Sequence, residues 1–322
     1  MAGQRLMVGF EGTDLNSDLT FLIDTVKVGG IVLFAGNLIN PEQIKRLCRS
    51  IREYAGSCGQ PPLFIAIDQE GGRVARLKEP FTQFPGNSKM KNVGDARHFA
   101  RVTAEELKDI GINMNLAPVV DVVPEGIDSV MADRSFRGDP DRVSEMAAAV
   151  IDNLQKRNVM SVAKHFPGIG RTTLDSHLNM PDLDISLDAM ATTDLIPFKV
   201  AVSHNVAGIM LSHILYTKLD PVWPASLSNA IAKDLLRGRL NFGGVVMTDD
   251  LDMGAIKKHY DIHSVVRQII SADIDIALIC HKGPDIENAF EEILNMLDSS
   301  KRFREKGKAA VERIIALKSA YV

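Results

Sequence analysis

Lys164, His165, Asp175 and His177 fall within fourteen residues of one another, in the stretch VAKHFPGIGRTTLDSHLNMP (162–181). Two histidines, a lysine and an aspartate so close together suit metal ligation, proton transfer or ordinary loop polarity. A catalytic metal is not expected. The chain has no HxH pair at the end of its first apolar run, no HExxH and no Cys/His cluster. A nucleotide cofactor is not expected either, because the glycines of GIG and EGGR follow neither the dinucleotide nor the P-loop spacing. Acid/base and covalent chemistry remain. Asp175 and His177 are two residues apart in an extended or turn segment, so both side chains can share one side. The aspartate can then orient the imidazole and stabilise its protonated form. A histidine titrates near neutrality, which suits a group that donates and then accepts a proton. The alternative, a hydrogen-bonded pair that only stabilises a loop, stays open. Asp249, near the end of the run FGGVVMTDD, is a natural nucleophile or electrostatic partner.

Something must position these groups. Eight short apolar runs recur: RLMVGF (5–10), GGIVLF (29–34), PLFIAID (62–68), INMNLAPVVDV (112–122), VMSVAKHF (159–166), VAGIMLSH (206–213), FGGVVMTDD (242–250) and IDIALIC (274–280). None alternates strictly, as befits parallel strands buried on both faces. Amphipathic segments with Pro or Asp-Pro starts lie between most of them, such as PEQIKRLCRSIREYA and DPDRVSEMAAAVIDNLQKR. The charge of the last segment, KRFREKGKAAVERIIALKSAY, reads as a solvated face. This layout predicts an α/β chain folded as a single (β/α)8 barrel over residues 1–322, with a doubly wound open sheet as the competing layout. Chemistry in such a barrel sits at the C-terminal ends of the strands. There the sequence places Asp68, Asp121, Lys164 with His165, His213, and Asp249 with Asp250. A buried strand interior has no use for ionised groups, so five ends agreeing predict a polar mouth. A helix cap is the alternative for any one aspartate. The long loop after Val122 adds Arg134, suited to a planar anion or vicinal hydroxyls; His213 reads as structural.

Composition narrows the partners. A formal net charge of −4 gives no reason to expect nucleic acid or an anionic membrane. No run of about 18 apolar residues exists, and MAGQRLMVGFEGTDL is no secretory signal. Cys48, Cys58 and Cys280 form no disulfide framework. A cytoplasmic protein with free thiols is expected.

The motifs together resemble a known family. KHFPGIG…DSH is similar to the signature of the β-N-acetylglucosaminidase branch of glycoside hydrolase family 3. LLRGRLNFGGVVMTDDLDM (235–253) resembles that family's nucleophile segment, and DQEGGRVARL, APVVDV and RSFRGDP also match in order. The resemblance covers nearly the whole chain. It implies a retaining mechanism without cofactor or metal, with Asp249 as nucleophile and His177, paired with Asp175, as general acid/base on a mobile loop after the fifth strand. It makes Asp68, Arg76, Asp121, Arg134, Lys164 and His165 the sugar clamp. It implies release of terminal N-acetylglucosamine from muropeptides in peptidoglycan recycling. A phosphorylase that resolves the same intermediate with phosphate, and a sugar-binding barrel without catalysis, are the alternatives. Two positions depart from the pattern: Ile169 stands where many relatives carry His, and Arg171 where they carry a small or acidic residue. The family's two-domain β-glucosidases have a second α/β domain, for which 322 residues leave no room.

Overall fold

The structure is a computed structural model and describes residues 1–174, 176 and 179–321. Eight parallel strands close a barrel in chain order: β1 (Leu6–Val8), β2 (Gly30–Leu33), β3 (Phe64–Ile67), β4 (Met114–Asn115), β5 (Met160–Phe166), β6 (Gly208–Leu211), β7 (Val245–Asp250) and β8 (Ile276–Ile279). Pairing of Leu6 with Ala277 and Val8 with Ile279 makes the closure. This is the expected (β/α)8 barrel, and all eight apolar runs became strands, trimmed at their ends.

Alternation inside each strand divides the core in two. Met7, Val32, Phe64, Ala66, Met160, Val162 and Met247 fill the barrel interior. Their neighbours, such as Leu6, Ile65, Ile67, Ala163 and Val246, pack outward against the helices. Both sets are desolvated, which is why the runs show no polar alternation. Small residues admit large neighbours: a Cβ on Gly30 would stand 2.8 Å from that of Phe64.

Among the described residues, seven longer α-helices wrap the barrel: α1 (Pro41–Ser57), α2 (Val93–Ile110), α3 (Pro140–Gln155), α4 (Leu195–Ser203), α5 (Ile262–Ser271), α6 (Asp285–Ser299) and α7 (Lys301–Tyr321), with a π-helical stretch, Ala230–Arg239, between β6 and β7. Their starts are chemically set. The side chains of Asn40, Asn92, Asp139 and Asp261 accept N–H groups of the first turns of α1, α2, α3 and α5. Among the described residues, no helix is long and apolar enough to cross a membrane.

Two sequence expectations change. The fourth strand, read as 112–122, pairs continuously only over Met114–Asn115, with a single bridge from Val119 to Lys164. Pro118 has no N–H for the ladder. The side chains of Asn113 and Asn115 instead accept the backbone N–H groups of Ile65 and Gln69 at 2.8 and 3.1 Å. The charged face of α7 is also not wholly solvated. Arg313 reaches the buried Asp275 at 2.7 Å. Lys318 is 1% exposed and donates to Gln4 Oε1.

Candidate active site

The C-terminal mouth is assembled from β3, β5 and β7. Asp68 follows β3, and a two-stranded ribbon, Gln69–Gly71 with Val74–Ala75, turns the chain straight back. Gly71 and Gly72 take φ of 88° and 61° in that turn, which is open to glycine and strained for other residues. Gln69 Oε1 accepts the N–H groups of Arg76 and Leu77. The ribbon thereby brings Arg76 beside Asp68, Nη2 to Oδ2 at 3.2 Å.

Lys164 and His165 end β5, and their peptide is cis. Lys164 Nζ lies 2.7 Å from Asp68 Oδ1 and 2.7 Å from Glu70 Oε1. Arg134 holds Glu70 in a fork, with Nη2 to Oε1 at 2.7 Å and Nε to Oε2 at 3.0 Å. Burial opposes the charges of Glu70 and Lys164, but mutual attraction prevails. The Glu70 carboxyl is held far below the usual carboxylate range, and the Lys164 ammonium titrates above its ordinary value. The four groups thus form one connected lattice of ion pairs.

Asp121 is completely buried. Its Oδ2 accepts His165 Nδ1–H at 2.8 Å, and its Oδ1 accepts the Ile169 N–H at 2.8 Å. On its other side, His165 Nε2 lies 3.5 Å from Arg134 Nη2, so the ring is held between Asp121 and Arg134. Asp121 therefore stands behind the mouth and acts on it through His165.

Asp249 sits near the end of β7, its Oδ1 accepting the Asp250 N–H at 2.9 Å. Burial favours the neutral acid. The neighbouring His165 and His213, the Asp250 N–H and Lys164 outweigh it, so Asp249 titrates below its ordinary value. Asp68, Arg76, Arg134, Lys164, His165 and Asp249 all line one cavity of about 140 Å³. Sites that bury a drug-sized ligand span about 300–1,000 Å³, so this one suits a single small ring. A second groove of about 760 Å³ runs beside the mouth, bordered by Val122, Phe136, Arg137 and Arg171.

The loop after β5 is anchored at both ends. Arg171 Nε pairs with both oxygens of the buried Asp194 at 3.2 Å, and Thr172 O accepts the Val130 N–H. Further on, Ser176 O accepts the Ala255 N–H at 3.1 Å, in the short helix Gly254–Lys257 that follows β7. Asp175 and His177 lie outside the described residues. The side chain of Ile169 is buried, and its N–H is the group that meets Asp121.

Two groups at the mouth escaped the sequence reading. Glu70 was hidden inside DQEGG, although its place two residues after a strand-end aspartate was a signal. Asp250 was noted at a strand end but given no role. It is held by His213, whose Nε2–H donates to Asp250 O at 2.8 Å while its Nδ1 meets Ser226 Oγ at 2.7 Å. Asp250, Asp252 and His281 bring donor atoms within 4.8 Å of one another. The oxygens of Asp252 already take Lys257 Nζ at 2.7 Å and the His281 N–H at 2.9 Å.

The family model described as glycosyl hydrolase family 3 N terminal domain matches residues 2–317. The chain belongs to glycosyl hydrolase family 3. This family 3 chain is 35% identical over 285 residues to a beta-hexosaminidase of Alkalilimnicola ehrlichii, covering 86% of this chain and 80% of the relative. It is 32% identical over 312 residues to a beta-hexosaminidase of Pseudomonas aeruginosa, covering 94% and 91%. Among solved structures it is similar to the family 3 beta-N-acetylglucosaminidase of Paenibacillus sp. FPU-7, with a TM-score of 0.95 and 34% identity over 99% of this chain and 62% of that one. It is also similar to native NagZ of Neisseria gonorrhoeae, with a TM-score of 0.77 and 29% identity over 97% of each chain. It is a glycoside hydrolase whose barrel is shared with these family 3 structures.

Proposed function

We propose that this glycoside hydrolase is a retaining exo-β-N-acetylglucosaminidase that removes terminal N-acetylglucosamine from muropeptides in cytoplasmic peptidoglycan recycling. The observation that carries the reading is Asp249, an anion of lowered pKa at the wall of a one-ring cavity fenced by Asp68, Arg76, Arg134 and Lys164. The hexosaminidase names of its relatives supply the sugar class.

Asp68, Arg134, Lys164 and His165 hold the ring hydroxyls by charged, directional hydrogen bonds, with Arg76 supporting Asp68. Asp249 attacks the anomeric carbon. The bond to the leaving oxygen breaks, and that oxygen takes the proton of His177, which Asp175 orients. Water then attacks the same carbon, gives its proton to His177, and returns the electron pair to Asp249. In this reading a histidine takes the acid/base role that a second carboxylate fills in most retaining enzymes. The bond from Ala255 to Ser176, the residue between Asp175 and His177, ties their loop to the segment just after Asp249 and supports this pairing.

The test is hydrolysis of nitrophenyl β-N-acetylglucosaminide beside nitrophenyl β-glucoside, with and without phosphate, by wild type and Asp249→Ala. Phosphate-independent turnover of the N-acetyl substrate, lost in a folded Asp249→Ala protein, is expected. Phosphate-dependent turnover would make the chain a phosphorylase. Binding of N-acetylglucosamine without turnover of either glycoside would make it a sugar-binding barrel.

A further inference from the structure

Asp250 is the most connected residue of the mouth. Its N–H holds the nucleophile's Oδ1 at 2.9 Å. Its carbonyl oxygen accepts from His213 at the end of β6. Its Oδ1 accepts the N–H of Asp252 at 3.0 Å and, across the seam to β8, that of Cys280 at 3.1 Å. Its Oδ2 lies 3.7 Å from His281 Nδ1, and the Cys280 thiol, whose pKa the carboxyl helps to raise, is a further hydrogen-bonding neighbour. The residue is mostly shielded from solvent and lines the same one-ring cavity as Asp249. A carboxylate fixed through one oxygen by two N–H groups, in the same cavity as the nucleophile, is arranged to face positive charge.

We propose that Asp250 is a second working carboxylate of the pocket: its backbone positions Asp249, and its anion stabilises the cationic sugar while Asp249 is tied up in the glycosyl bond. The inference rests on the retaining reading above. In the first step Asp249 brings a negative charge to the anomeric carbon and loses it as the ester forms. In the second, water adds to that carbon and the ester bond breaks, its electron pair returning to Asp249. At the start of the second step Asp249 is neutral, so Asp250 is the carboxylate beside it that still carries charge. Asp250 therefore matters more to the second step than to the first.

Burial, with Asp252 and Asp249 as further contributions, raises the Asp250 carboxyl to about 6. The groups around it are Asp249 and Asp252 on its own segment, His213 from β6, and Cys280 and His281 from the end of β8. Asp68, Arg76, Lys164 and His165 share the cavity with it. Below about pH 6 the anion is lost and the second step slows.

The experiment is stopped-flow release of nitrophenol, with intact-mass detection of the glycosyl-enzyme, for wild type, Asp250→Asn and Asp250→Glu across pH 5–8. Asparagine keeps both acceptor bonds of Oδ1 and removes the charge. Asp250→Asn is expected to show a burst of one nitrophenol per enzyme, an accumulated adduct on Asp249, and steady turnover slowed about 10- to 100-fold. The rate fall centred near pH 6 should vanish, and Asp250→Glu should recover part of the second-step rate. Wild-type rates and an unchanged pH profile in Asp250→Asn would overturn the proposal. So would equal slowing of both steps in Asn and Glu variants alike, the signature of a structural role. A wild type that turns over without any adduct on Asp249 would remove the retaining reading, and this proposal with it.

Discussion

At the scale of single residues, the mouth is a lattice in which charges are spent on one another before a substrate arrives. Arg134 shows what this demands. Its planar fork matches both oxygens of Glu70, and Lys cannot reproduce two parallel bonds. Arg134→Lys should therefore lower kcat/KM roughly tenfold or more, with little loss of thermal stability, as steady-state kinetics beside a melting curve would show. Lys164→Met should act differently. It leaves Glu70 with Arg134 alone and removes one of the two cations on Asp68. Breaking a buried pair costs about 3–5 kcal/mol, read as a lower denaturant midpoint. Most of these residues were legible in the sequence because ionisable groups at the ends of apolar runs have no packing purpose. Glu70 was not. Its function depends on the glycine turn that folds DQEGGR back upon β3, and the reading stopped at the strand end. Asp121 was legible as a mouth residue, but not as the support behind His165, because which residue lines a cavity depends on barrel closure.

At the scale of elements, strands were easier to read than their lengths. The fourth run has the composition of a long strand, yet its continuous ladder covers only Met114–Asn115, with one bridge beyond Pro118. Helices α1, α3 and α7 were also readable; α2 has as clear a stripe as α3 yet was not singled out, and α4 is apolar nearly all round and shows no stripe. α7 was legible as a helix and misread as a surface. Its Lys318 lies in the barrel's lower end, 4.9 Å from the Phe64 ring, where burial lowers its pKa to about 7 from 10.5. Between those values the unfolded chain holds a proton that the folded chain does not, so stability rises with pH across that window. Relative to Lys318→Met, wild type should gain about 1 kcal/mol per pH unit from pH 7 to 9. Urea denaturation at the two pH values checks this, and a gap that stays constant would show that Lys318 does not release its proton.

At the scale of the whole molecule, one carboxylate ties the seam of the barrel. Asp275, at the start of β8, accepts Arg237 and Arg313 through its side chain and Arg5 through its backbone oxygen. Asp275→Ala leaves three guanidinium groups clustered without their anion. It should cost about 3–5 kcal/mol, measured by chemical denaturation, while the folded fraction keeps the wild-type KM because the mouth lies at the opposite end. None of this was legible in the sequence: Asp275 looked like one more polar residue beside an apolar run, and its partners are up to 270 residues away. The same closure has a consequence in time. Gln4 meets Lys318 across 314 residues, and ribosomes add about 5–20 residues per second. The first strand therefore waits on the order of 15–60 s for its last neighbours. Throughout synthesis the nascent sheet carries an unpaired edge, and the half-made chain needs shelter from its own kind.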